Sequence, residues 1–162
     1  MSEDKFWNSI QLINWQVTDN KAKLTTLINE LANLPDAEIV EFEHITTKLL
    51  YDLDGDIFAK YYLKNGTGSA VFSVDDFLYS RAFVVAMGMN YYYQIVQNPN
   101  LFPGNSVFED LLYAAQRAFK QKNGHENWAY TPKLSYETFS NNKLWNTNNK
   151  NLITELISSK NS

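Results

Sequence analysis

Cysteine and long hydrophobic runs are both missing from this 162-residue sequence. Without cysteine, the chain has no disulfide framework, no thiol nucleophile and no thiolate metal ligand. No segment approaches the roughly 20 apolar residues that cross a membrane, and the acidic N-terminus lacks the basic flank of an export signal. These absences predict a cytoplasmic protein with no membrane partner.

Positive charge is also scarce in this sequence. The 14 Lys and Arg residues are outnumbered by 18 Asp and Glu residues, which gives a net charge of −4. Proteins that bind a phosphate backbone need clustered positive charge. We therefore expect no nucleic-acid partner.

Metal and catalytic motifs are incomplete. Residues 52–56 begin like a calcium loop, but the glycine stands at the fourth position rather than the sixth, and the twelfth position is Leu63. His125 begins a pattern like that of a zinc protease, but Ala129 stands where the second histidine is required. His44, the only other histidine, has no nucleophile motif nearby. The sequence predicts no metal and no cofactor, and it favours a non-catalytic role over an enzymatic one.

What the sequence does contain is a large share of apolar and aromatic side chains, 44% and 15% respectively. The length is usual for one domain, and apolar residues recur at helical spacings of three and four. We predict an all-α, compact single-domain bundle of about five to seven helices. The main helical patterns cover residues 2–17, 20–33, 36–53, 57–64, 73–98 and 106–123.

Two of these helices have marked ends. Ser73 is the predicted N-cap of the central helix. Gly88 in the middle of that helix costs about 1 kcal/mol of helix stability relative to alanine, which suggests that a neighbouring backbone packs closely there. Ser106 and Glu109 form a capping box that predicts the start of the next helix, and Gly124 predicts its end.

The C-terminal part is less regular but rich in aromatic residues. The whole chain, 1–162, is predicted to be one helical domain, in which residues 125–162 form a wrap over the helices and one short terminal helix. That helix is predicted from Leu152, Ile153, Leu156 and Ile157. A small hairpin near residues 64–74 is the alternative to a loop there.

The start of the central helix offers a candidate ligand site of four residues: Asp75, Asp76, Tyr79 and Arg81. The acids could serve as acid and base or simply favour the positive end of the helix dipole. Arg81 could grip a carboxylate or phosphate, or form a structural ion pair. If it is structural, Arg81→Ala should destabilise the domain by about 2–4 kcal/mol.

A second candidate site is the acidic third helix and its exit, where one lysine, Lys48, accompanies the acids. The candidate partner-binding residues are Glu38, Glu41, Asp52, Asp54 and Asp56. This surface could be only a solvated face, or it could dock a basic protein, because clustered acids speed association with positive partners.

Several segments together resemble a bacterial domain-of-unknown-function family, number 4240. The resemblance covers about residues 5–124. It rests on Phe6-Trp7, Leu34-Pro35 with Glu38-Ile39 and Phe42, Phe58-Ala59-Lys60-Tyr61, Asp75 with Phe77, Tyr79, Arg81 and Gly88, and Asn98-Pro99-Asn100-Leu101. It implies a compact bacterial helical protein and no particular reaction.

From these observations we expect a non-catalytic bacterial protein-binding module. Its partner would be a basic protein such as a toxin, which would make the chain an immunity or antitoxin-like protein. The alternative is a small enzyme or ligand-binding protein with a pocket at the start of the central helix.

Overall fold

The computed structural model describes residues 1–67, 72–128, 130–145, 151 and 154. The α-helices in these residues are α1 (Glu3–Ile10), α2 (Asn20–Lys23), α3 (Thr25–Ala32), α4 (Asp36–Asp52), α5 (Asp56–Asn65), α6 (Val74–Ala86), α7 (Met89–Gln97) and α8 (Ala114–Asn123). Two short 3₁₀ helices, Pro99–Leu101 and Glu109–Tyr113, connect α7 to α8. The described parts of the chain contain no strand, so the all-α prediction is confirmed.

Local capping explains several helix starts. The Ser2 side chain accepts a hydrogen bond from the backbone N–H of Lys5, and the Ser73 side chain accepts one from that of Asp76. Each bond satisfies an N–H group that has no partner within the helix. Helix α4 begins directly after Pro35, as its pattern predicts, since proline fits the turn that leads into a helix but not a helix interior.

The prediction of one continuous helix over residues 73–98 is wrong, because the helix is interrupted at Gly88. Helix α6 ends at Ala86 and α7 begins at Met89, with a φ of 92° and a ψ of 173° at Gly88 between them. A Cβ atom added at that position would meet nothing within 4 Å. The glycine is therefore needed for its backbone conformation and not for close packing, which corrects the reason expected from the sequence.

The predicted capping box at Ser106 is also not formed. The chain instead enters the 3₁₀ helix Glu109–Tyr113 and becomes α-helical only at Ala114. The backbone N–H of Phe108 donates to the carbonyl of Tyr79 in α6, so a tertiary contact fixes the entry. Gly124 ends α8 in the left-handed conformation, with a φ of 72°, as predicted.

The core is built on aromatic rings where α1, α4 and α6 meet the loops before α8. Helix α8 packs on α3 and α4, and α6 packs on α4 and the second 3₁₀ helix. The fully buried rings are Phe6, Phe42, Phe77, Phe102 and Phe108. Residues 125–128 and 130–145 cover this helical body without regular structure, whereas the predicted terminal helix and part of the alternative hairpin lie outside the described residues.

Candidate functional site

Arg81 is the largest fully buried side chain among the described residues, and its guanidinium lies between α4 and the C-terminal segment. Its Nη1 donates a hydrogen bond of 2.9 Å to the carbonyl of Leu50, and its Nη2 donates one of 3.0 Å to Oγ1 of Thr138. Burial lowers the pKa of Arg81 to about 10, while the negative charges of Asp54 and Glu137 oppose that shift. The side chain therefore remains a cation at neutral pH, held by the protein itself.

Asp54 is the counter-charge of Arg81 and is also fully buried. Its Oδ1 lies 3.9 Å from Nη1 of Arg81. The backbone N–H of Phe139 and the indole N–H of Trp145 donate to Oδ1, at 3.1 and 2.8 Å, and the backbone N–H of Asn141 donates to Oδ2 at 2.9 Å. Phe139 adopts a φ of 75°, which is unusual for a residue with a side chain. Asp54 thus fastens the C-terminal segment to the helices.

The four predicted ligand residues lie in different surroundings. Asp75 and Asp76 are exposed in the first turn of α6, and Tyr79 is half-buried, where burial and the negative charge of Glu109 raise its pKa. Arg81 is enclosed in the core, where its donors face Leu50 and Thr138. The structure therefore separates the arginine from the two acids.

The predicted acidic face is partly brought together. Glu41 and Asp52 line one groove, while Glu38 pairs beside it with Lys5 and with the N-terminal amine. Asp56 is half-buried in the first turn of α5. Asp54 must be removed from the predicted docking surface, because its carboxylate is turned inward and hydrogen-bonded in the core.

We call the groove beside α4 the α4 groove, and it has a volume of about 580 Å³. Helix α4 contributes an outward stripe of side chains to it, and α1, α7 and the C-terminal segment close its sides. The lining residues are Met1, Glu3, Glu41, His44, Ile45, Lys48, Leu49, Asp52, Tyr93 and Lys133. Acids, lysines and apolar side chains are therefore all present in one concave surface.

Hydrogen bonds fix the charge state of one acid in the α4 groove. Tyr93 donates a hydrogen bond of 2.6 Å to Glu3, and the indole of Trp7 donates another of 3.3 Å. These two bonds lower the pKa of Glu3, and the bond to Glu3 raises the pKa of Tyr93 to about 12. Glu3 is therefore an anion and Tyr93 a neutral phenol at neutral pH.

A second cavity, which we call the Glu43 pocket, lies on the other side of α4 and has a volume of about 310 Å³. Side chains from α4, the second 3₁₀ helix, α8 and the C-terminal segment surround it. The lining residues are Glu43, Leu112, Tyr113, Gln116, Trp128, Tyr130, Pro132, Leu134, Ser135, Tyr136 and Glu137. Two carboxyl groups thus face a wall that is mainly aromatic and apolar.

Glu43 is a buried acid that the sequence reasoning missed. Its side chain is only 7% exposed, and burial raises its pKa to about 7. The helical spacing could have revealed the burial of Glu43. One face of α4 carries four buried residues at spacings of four, three and four: Ile39, Glu43, Thr46 and Leu50. A charged residue on the buried stripe of a helix indicates either a partner or a site.

Neither metal binding nor membrane insertion is indicated by the described residues. They contain no group of three or more histidine, aspartate or glutamate side chains that could hold a metal ion. None of the helices in this part of the chain is both long and apolar enough to cross a bilayer.

The described residues define an all-α helical protein with two grooves that lie on either side of α4. The chain belongs to the family described as "Protein of unknown function (DUF4240)", whose model matches residues 1–121. This match confirms the resemblance seen in the sequence. Neither a curated protein nor a solved structure matched the chain.

Proposed function

We propose that this protein is a non-catalytic binding module that docks a basic segment of a partner protein in the α4 groove. The observation that carries the proposal is that Glu41 and Asp52, two of the acids predicted to bind a partner, line one groove together with Glu3. A bacterial toxin with a basic surface would be a partner of this chemistry. The protein would then act as an immunity or antitoxin-like protein.

The charges in the groove are available for such a partner. Glu41 has no hydrogen bond or ion pair among the described residues, and it lines the same groove as the ionised Glu3. Asp52 pairs with Lys48 one turn earlier in α4, but both side chains are well exposed. Such a pair contributes about 0–1 kcal/mol, so an incoming lysine or arginine can replace Lys48 at little cost. Because Lys133 also lines the groove, the acids only slightly outnumber the lysines. Specificity for a partner therefore depends on where its basic groups meet these acids and not on a large excess of negative charge.

Apolar and aromatic side chains in the same groove favour protein binding. Ile45 and Leu49 form part of its wall, and the Tyr93 side chain is 39% exposed beside them. Interfaces commonly combine a tyrosine and an apolar patch with a polar rim. His44 also lines this groove, and its Nδ1 lies within hydrogen-bond distance, 3.1 Å, of the hydroxyl of Tyr130.

The experiment compares proteins captured from the native host by three forms of the chain. The groove variant is Glu41→Lys with Asp52→Lys, and the control is Glu30→Lys with Asp75→Lys, which makes the same change in net charge at exposed sites outside the groove. A basic protein retained by the wild type and the control, but lost from the groove variant, would support the proposal. Thermal melts must show that both variants remain folded.

Two results would contradict the proposal. One is a partner that the groove variant retains as well as the wild type does. The other is loss of the partner from the control alone, which would direct attention to the start of α6 at Asp75.

A further inference from the structure

We propose that the Glu43 pocket binds an organic ammonium group on an apolar arm, such as an alkylamine or the side chain of a lysine. The proposal concerns a different cavity from the α4 groove and does not depend on the function proposed for that groove. It rests on a buried carboxyl group without a partner, on the absence of an opposing cation, and on the aromatic walls.

The carboxyl group of Glu43 has no hydrogen bond or ion pair within the described residues, although the side chain is only 7% exposed. Asp54 shows how this protein otherwise treats a buried acid, with three N–H donors and an arginine. An unpaired buried carboxylate costs free energy, and a cation entering the cavity would remove that cost. Binding of a cation would therefore stabilise the protein at Glu43, whereas Asp54 already has hydrogen-bond donors and a counter-charge.

No basic side chain of the described residues lines the Glu43 pocket, whereas Glu43 and Glu137 both do. The cations on either side are turned elsewhere. Arg117 pairs with Asp110 at 2.7 Å, Lys120 pairs with Glu126, and Lys133 lines the α4 groove. The buried cation Arg81 interacts electrostatically with Glu137, so Glu43 is the acid of this cavity for which the described residues supply no cation. The two acids together disfavour anionic ligands.

The walls match the remaining parts of such a ligand. Trp128, Tyr130 and Tyr136 line the cavity together with the acids, and an ammonium group over an aromatic face is attracted by the ring. Leu112 and Leu134 offer apolar contact for an alkyl arm. The volume of about 310 Å³ lies at the small end of ligand pockets, which suits one side chain or a small amine.

The first test compares n-butylammonium with 1-butanol, which has the same arm without the charge. Binding is followed at pH 8, where Glu43 is ionised, by titration calorimetry and by shifts of the Trp128 indole signal in NMR spectra. We expect n-butylammonium to bind roughly 10-fold or more tightly than 1-butanol, since a charged group meets a buried carboxylate. Equal binding of the two probes, or no binding of n-butylammonium at millimolar concentration, would overturn the proposal.

Variants then assign the effect to the pocket. Glu43→Gln keeps the size of the side chain and should remove the preference for the charged probe. Glu41→Gln makes the same chemical change two residues away, in the α4 groove, and should leave it unaltered. Tyr136→Leu should weaken binding by roughly 2- to 30-fold through the lost ring. A Glu43→Gln protein that still prefers n-butylammonium would refute the assignment to this pocket.

A third probe, Nα-acetyl-lysine N-methylamide, distinguishes the two sources of the ammonium group. If it binds more tightly than n-butylammonium, the natural ligand is a lysine side chain of a protein. If n-butylammonium binds as well or better, the pocket takes a free amine. Both results support an ammonium site. Loss of amine binding in Glu43→Gln with unchanged partner capture would separate this pocket from the function of the α4 groove.

Discussion

Replacement of Arg81 by alanine should destabilise the protein by about 3–4 kcal/mol. The change removes the hydrogen bonds to Leu50 and Thr138 and leaves the Asp54 carboxylate buried without a cation. Breaking a buried ion pair by removing one partner costs about 3–5 kcal/mol. The three N–H donors on Asp54 keep part of that carboxylate satisfied, so we expect the lower part of the range. Full burial raises the value above that expected from the sequence.

Urea unfolding followed by circular dichroism measures this change as a difference in free energy of unfolding. Arg81→Lys is the matched variant, because it keeps the charge but cannot bond Leu50 and Thr138 together as the planar guanidinium does. It should recover only part of the lost stability. Arg81→Met keeps much of the volume without the charge, so it separates the charge contribution from the packing contribution. Wild-type stability in Arg81→Ala would refute the structural role.

Three further predictions concern burial, backbone conformation and one indole. Burial raises the pKa of Glu43 from an ordinary 4.5 to about 7, so the folded state binds the proton more tightly and stability falls as pH rises between these values. In urea unfolding, the free energy of unfolding of Glu43→Gln should therefore equal that of the wild type at pH 4 and exceed it by up to about 3 kcal/mol at pH 8. An equal difference at both pH values would contradict this prediction. Gly88→Ala should lower the free energy of unfolding by about 1–3 kcal/mol through backbone strain alone. The control Met89→Ala should change stability little, and thermal melts measure both. Trp145→Phe keeps a ring but removes the N–H bonded to Asp54, so it should cost about 1–2 kcal/mol in the same assay, and a gain in stability would argue against that bond.

Local signals in the sequence predicted much of the helical framework. Ser73, Pro35 and Gly124 act through bonds or dihedral angles within a few residues of themselves, so their effects can be read directly. Gly88 could not be read in this way, because an isolated glycine fits both a helix interior and a break, and its positive φ is visible only in the folded chain.

The candidate sites were less predictable because their partners are distant in sequence. The donors to Asp54 lie 85, 87 and 91 residues away, so nothing near residue 54 distinguished a buried aspartate from an exposed one. The sequence left open whether Arg81 grips a ligand or forms a structural ion pair, and its full burial was not predictable because Leu50, Asp54 and Thr138 are also distant in sequence. The Glu43 pocket depends on residues 128, 130, 132 and 134–137, and their irregular segment has no periodic pattern from which its position could be predicted.

The bonds to Asp54 also bear on where the folding unit ends. The family match stops at residue 121, yet Phe139, Asn141 and Trp145 supply the three N–H donors to a charge inside the matched part. A chain cut after residue 124 would lose these donors and the cover over the Arg81–Asp54 pair, and it would expose the apolar surface against which Trp128, Tyr136 and Trp145 pack. The matched part should therefore not be stable alone in this protein. A relative whose chain stops with the matched part would need polar side chains on the surface that Trp128, Tyr136 and Trp145 cover here, or another segment that covers it.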